Sequence, residues 1–131
     1  MKRPSLRALQ DLLLREAAFA RPFRFRVRAA ADGACTLVVP FDPAFERPGG
    51  IVAGIVFMTA ADVAMWLAIK TLSALDDPSV TVSLQSSFLR SARREDIVCR
   101  ARVIRAGKSL AHGIAECATA SRRRRPVGSA R

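Results

Sequence analysis

The sequence predicts an α+β fold in which one antiparallel β-sheet wraps around one long apolar helix. Three observations carry that prediction. Residues 54–75 contain no Pro, no Gly after Gly54, and only two charges, Asp62 and Lys70. Ala, Met and Leu are plentiful there, so helix propensity is good. A helix that is apolar on every side is either enclosed by its own domain or spans a membrane. Residues 79–89 and 96–120 then alternate apolar and polar side chains, the period of half-buried strands. Finally, the links between these stretches are short, which favours pairing of neighbouring strands in a meander, and the apolar face of such a sheet needs a second layer.

The membrane alternative fails on one residue. The apolar run 51–69 is just long enough to cross a bilayer. Asp62 would then lie near the midplane, at a cost of about 2.5–3.5 kcal/mol. An enclosed helix is therefore expected, with no membrane partner.

Taken in order, residues 5–20 read as an amphipathic helix. Ser5 is a plausible N-cap, and Leu6, Leu9, Leu12, Leu13 and Phe19 recur at helical spacing. Pro22 is expected to end it. Residues 1–22 thus form an N-terminal helical segment, and residues 23–131 the sheet-and-helix domain. Residues 23–30 alternate Phe23, Phe25 and Val27 with Arg24, Arg26 and Arg28. Asp32-Gly33 is a turn signal, and residues 35–39 continue as the second strand of a hairpin. Residues 40–50, rich in Pro and Gly, form a loop before the long helix. Asp76-Asp77-Pro78 stops that helix. Residues 79–89, 96–106 and 109–120 follow as strands. Ile97, Cys99, Ala101 and Val103 share one face of the second of these, and Arg100, Arg102 and Ile104 the other. Residues 122–125 make an exposed basic turn, and residues 127–131 a short last strand.

Composition narrows the function classes. The net charge of +11 attracts nucleic acid, anionic membranes or phosphorylated small molecules. Nucleic-acid binding calls for aromatic side chains among the basic ones. One Trp, no Tyr and seven scattered Phe argue against it. Cys35, Cys99 and Cys117 are too few and too widely spaced for a zinc pattern, and read as reduced core thiols of a cytoplasmic protein. No metal or resident cofactor is expected. The basic start is followed by no apolar signal core, so secretion is not expected.

Asp62 is the residue that demands a reason. Met58, Ala61, Met65 and Trp66 lie within one turn of it. A carboxylate enclosed by such neighbours must be paired, hydrogen-bonded or protonated. One reading is structural, with a hydrogen bond to Thr81 or Ser83 on the adjoining sheet; the other is chemical. Gly54 stands at the helix start, where unpaired amides and the positive end of the macrodipole favour a developing oxyanion.

Three stretches carry a resemblance. Ala53-Gly54 is followed by Ala-Ala-Asp-Val-Ala at residues 60–64; Thr81 leads into Ser87-Phe88-Leu89-Arg90-Ser91-Ala92; and residues 105–110 read Arg-Ala-Gly-Lys-Ser-Leu. In this order they resemble the His-Gly-Gly…Ala-Asp-x-Ala, Phe-Leu-Arg-Pro-Ala and Gly-basic-x-Leu patterns of the hotdog-fold acyl-CoA thioesterases of the PaaI-like group. The resemblance runs from about residue 41 onward. It implies a hotdog fold, hydrolysis of an acyl-CoA thioester, Asp62 as general base or nucleophile, and the Gly54 amide on the thioester carbonyl. Coenzyme A enters as part of the substrate. Two positions depart from the pattern: Arg47 stands where the family has Asn, and Ala53 where it has His, with Ile55 in place of the second Gly.

Asp62 lies eight residues beyond Gly54, about 12 Å along the axis. One thioester cannot touch both groups of a single helix. The catalytic reading therefore requires a homodimer, or a dimer of dimers, with each Asp62 facing the other subunit's Gly54. Arg90, Arg93, Arg94, Arg105 and Lys108 flank the strand turns and are candidates for binding the phosphates of coenzyme A. Ser109, beside Lys108, and Arg47 join Thr81 as candidate substrate contacts. His112, the only His, reads as a core or interface residue rather than a catalyst.

Overall fold

A computed structural model describes residues 4–122 and 128–130. Strands β1 (Arg26–Ala31), β2 (Ala34–Val39), β5 (Ser86–Phe88), β6 (Ile97–Ala106), β7 (Ala111–Thr119) and β8 (Gly128–Ala130) form one antiparallel sheet in the order β1-β2-β6-β7-β8-β5. Strands β3 (Glu46–Arg47) and β4 (Ile51–Val52) form a separate small hairpin. The 17-residue helix α2 (Gly54–Lys70) lies across the inner face of the large sheet.

Register makes the alternation concrete. Leu37, Cys99 and Cys117 face one another across β2, β6 and β7, with Cys35, Ala101 and Ala115 in the next inward row. All six are buried in the core that α2 shares. The intervening residues Thr36, Arg100 and Glu116 occupy the outer face. Each fully buried aliphatic side chain in this core, Leu37 or Leu67 for example, contributes about 1.5–3 kcal/mol.

Helix α1 (Leu6–Glu16) starts at Ser5, whose hydroxyl accepts the Ala8 amide at 3.0 Å. Leu9 and Leu13 join the core. Gln10 closes the outer edge of the sheet: its amide nitrogen donates to the Phe25 carbonyl at 3.0 Å and its oxygen accepts the Val27 amide at 2.8 Å. These bonds occupy backbone groups that an edge strand otherwise leaves open. Pro22 is not the helix terminator. The α-helix stops at Glu16, and Pro22 sits inside a 3₁₀ helix, Ala18–Phe23.

Two further expectations are revised. Helix α2 ends at Lys70 rather than near residue 75. The hydroxyls of Thr71 and Ser73 bond the carbonyls of Ala68 and Ile69, and the Lys70 ammonium reaches the Asp77 carbonyl at 2.8 Å. These bonds close the helix while its carbonyls still need donors. Second, only Ser86–Phe88 of the expected strand 79–89 enters the sheet. It pairs with β8, not with the neighbouring β6. Residues 79–85 run outside the sheet before β5 begins. Val80 and Val82 are 82 % and 79 % exposed. The expected last strand is present as β8, while residues 123–125 of the expected basic turn lie outside the described residues.

Candidate active site

The start of α2 is held from both sides. The Val52 amide donates to the Ala92 carbonyl at 2.9 Å, and the Ala53 amide to the Phe45 carbonyl at 2.8 Å. Gly49 and Gly50 reverse the chain between β3 and β4 with φ of 98° and 70°, values that glycine adopts without strain. Arg93 donates to the Gly49 carbonyl at 2.9 Å. At Gly54 a Cβ would meet the Phe88 ring at 3.1 Å. Glycine therefore lets the ring lie against the helix start. Ala53 is the N-cap and offers no side-chain hydrogen bond. The Val56 amide turns back to the Ala53 carbonyl at 3.1 Å, so the Gly54 and Ile55 amides are the ones the helix leaves for another acceptor.

Helix α2 has two faces that composition does not distinguish. Val56, Ala60, Val63, Ala64, Leu67 and Ala68 are buried under the sheet. Ile55, Met58, Asp62, Met65 and Ile69 recur every three or four residues and are partly or largely exposed. Asp62 is the one charge in this stripe. It is half-buried, not enclosed as its neighbours suggested. Thr81, from the segment outside the sheet, donates its hydroxyl to Asp62 Oδ1 at 2.5 Å. Among the described residues Asp62 has no ion pair. One carboxylate oxygen is thus oriented, and the other makes no hydrogen bond among the described residues.

Other candidate residues are dispersed. Arg47 is exposed on β3, opposite Ile51. Arg90 follows β5, at the end of the sheet where β7 finishes. Arg105, Lys108 and Ser109 lie at the β6–β7 turn, the opposite end. All four are exposed. Within one chain they do not converge. Arg93 and Arg94 bind the loop before α2 instead, Arg94 facing Glu46 at 3.7 Å. His112 is exposed opposite Arg105, not in the core. The three thiols are free and buried. Burial pushes Cys35 up to about 12, and the Cys117 hydrogen bond together with burial raises Cys99. Nucleophilic thiolate is unavailable at Cys35 and Cys99. Among the described residues no group of three or more His, Cys, Asp or Glu could hold a metal, and no helix is long and apolar enough to cross a membrane.

Phe88 behind Gly54 and the open stripe of α2 were both missed by the reading of the sequence. The stripe was legible as a spacing of three and four, but it was hidden by an equally apolar opposite face.

An antiparallel sheet curled around one central helix, with its lone acid on the helix's uncovered side, defines a hotdog-fold protein. A thioesterase superfamily model matches residues 49–116, and the chain belongs to that superfamily. Thioester hydrolysis is the chemistry this membership supports. A candidate esterase of Thermoplasma acidophilum is 27 % identical over 94 residues, covering 72 % of this chain and 70 % of that one. Among solved structures, a phenylacetic acid degradation-related protein of Ralstonia eutropha JMP134 is 25 % identical, with a TM-score of 0.77, covering 93 % of this chain and 95 % of that one. The E. coli PaaI protein aligns with a TM-score of 0.79 at 15 % identity, covering 93 % and 90 %.

Proposed function

We propose that the protein hydrolyses acyl-CoA thioesters at sites formed between two copies of the chain. The observation that carries this reading is Asp62, alone on an open apolar stripe, oriented by Thr81 and about 12 Å along the helix from the Gly54 amide. A two-fold axis beside the stripe would bring Asp62 of one copy towards Gly54 of the other. The stripe, together with exposed Phe88, Leu89, Val80 and Val82, offers the apolar area such a dimer needs.

In the proposed reaction the free Asp62 oxygen takes a proton from water. The resulting hydroxide equivalent attacks the thioester carbon, and the Gly54 amide stabilises the oxyanion. Collapse breaks the C–S bond, and the leaving thiolate takes up a proton. The alternative role, Asp62 as direct nucleophile, passes through an anhydride that water then opens. The basic ends of the sheet, Arg90 on one side and Arg105, Lys108 and Ser109 on the other, would meet the nucleotide of coenzyme A from different subunits.

Free-thiol release from a panel of acyl-CoAs tests the proposal. Asp62→Asn should remove it, and wild-type turnover in that variant would overturn the mechanism. A second reading, an acyl-CoA binder without turnover, is favoured by Ala53, which caps the helix without a side-chain bond, and by the exposed Arg47. It predicts saturable binding with negligible thiol release. Ala53→His with Arg47→Asn should then raise turnover. Loss of turnover in Arg47→Asn alone would instead mean that Arg47 itself polarises the carbonyl or binds a substrate carboxylate.

A further inference from the structure

The outer face of the sheet carries a cavity of about 270 Å³, lined by Thr36, Arg100, Arg102, Ile114 and Glu116. It is separate from the Asp62 site. Helix α2 lies on the inner face, against Cys99 and Ala101, and the intervening residues of β6 point the other way. Register sets the geometry of the walls. Thr36, Arg100 and Glu116 form one row across β2, β6 and β7, and Ala34, Arg102 and Ile114 form the next. Rows are about 7 Å apart along a strand, and neighbouring strands about 4.8 Å apart.

Arg100 and Arg102 are exposed, and among the described residues neither makes an ion pair or a hydrogen bond. Glu116 stands directly across from Arg100, also without an ion pair. Two like charges on one strand face repel unless something between them answers both. Two guanidinium forks can share one group with at least three acceptor oxygens. A carboxylate, with two, saturates a single fork. Glu116 is acceptor-only when ionised, so it disfavours a bare anion and favours a ligand that also brings hydroxyl donors. The small Ala34 leaves depth, and the volume far exceeds the roughly 30 Å³ share of one water.

We infer that this cavity binds a small phosphate ester bearing free hydroxyls, with the phosphate between Arg100 and Arg102 and the hydroxyls at Glu116 and Thr36. Calorimetric titration of the full chain with ribose 5-phosphate, inorganic phosphate and ribose tests it. Saturable binding of ribose 5-phosphate is expected, weaker binding of phosphate, and none of ribose. R100A and R102A should each weaken binding about 10- to 100-fold. R102K should also weaken it, because the charge remains but the fork is lost. E116Q should weaken ribose 5-phosphate relative to inorganic phosphate, whose binding should tighten once the repelling carboxylate is gone. Asp62→Asn should leave all of these unchanged, which separates the site from the proposed hydrolysis. Melting temperatures equal to wild type establish that the variants fold. No saturable binding at millimolar ribose 5-phosphate overturns the inference. So does binding that survives R100A and R102A, or equal affinity for inorganic phosphate.

Discussion

The two faces of α2 are built from the same kinds of residue and meet different fates. The face beneath the sheet uses Ala60, Ala64 and Ala68 to let strands approach closely, with Leu67 filling the space between them, all at 0 % exposure. The other face places larger side chains in the open, with Ile55 at 66 % and Met58 at 36 %. The first face holds the fold together. The second holds the acid. An exposed apolar stripe interrupted by one carboxylate is poor design for a lone surface and good design for a site completed by another molecule.

The largest expected effect lies on the open face. Asp62→Asn keeps the shape and the Thr81 contact but removes the base. Thiol release should fall about 100- to 10,000-fold, with the melting temperature at or above wild type, because a carboxylate no longer sits among apolar neighbours. A fall in both rate and stability would make Asp62 a structural residue.

The two faces should also separate under paired substitutions. Leu67→Ala is expected to cost about 2–5 kcal/mol in denaturant unfolding without changing the sedimentation mass of the folded protein. Ile55→Glu should do the reverse, lowering the mass and the activity while far-ultraviolet circular dichroism stays native. A wild-type protein that sediments as a monomer at micromolar concentration would remove the dimer from the proposal. A smaller effect is expected where the stripe meets the sheet. At Gly113 a Cβ would run into Met65 Cε and come within 2.7 Å of the Arg102 carbonyl oxygen. Met65 can swing away, but the backbone cannot. Gly113→Ala should therefore destabilise by about 1–3 kcal/mol, measured by the same denaturant unfolding.

Much of this architecture was legible in the residues. The alternation of Ile97, Cys99 and Ala101 with Arg100 and Arg102 assigned both faces of β6 correctly, because burial and charge agreed. The hotdog fold followed from that order of elements with the motifs around Asp62, Phe88 and Gly107. Four features were not legible, each for a physical reason. The exposure of Asp62 depends on how far the sheet reaches around the helix, which no local pattern encodes. Residues 79–85 have strand periodicity, yet alternation cannot tell whether a pairing partner is present. Pro22 ends α-helices, but its fixed φ suits a 3₁₀ helix equally well, and it sits inside one. Arg90 and Lys108 looked like one clamp in sequence, and only strand direction puts them at opposite ends.

The smallest predicted effect concerns the turn that joins the two faces. Leaving α2 at Lys70, the chain passes through Asp77 before running along the open side to Thr81. The Ser79 hydroxyl and amide both donate to Asp77 Oδ1, the amide at 2.8 Å. These bonds, with a further contribution from Ser73, hold its carboxyl below the ordinary carboxylate range. A folded-state value below the unfolded one means that the stabilisation is fully present above the unfolded value and fades as pH falls through the folded one. The group is partly exposed, and solvent screens it, so the gain is small. Asp77→Asn should melt slightly below wild type at neutral pH, and the gap should close in acid, below the ordinary carboxylate range. If this turn aims Thr81 at Asp62, thiol release should also fall modestly in the variant at neutral pH. A melting difference that persists unchanged into acid would show that the carboxylate contributes nothing through its charge, and that the turn is held by its backbone alone.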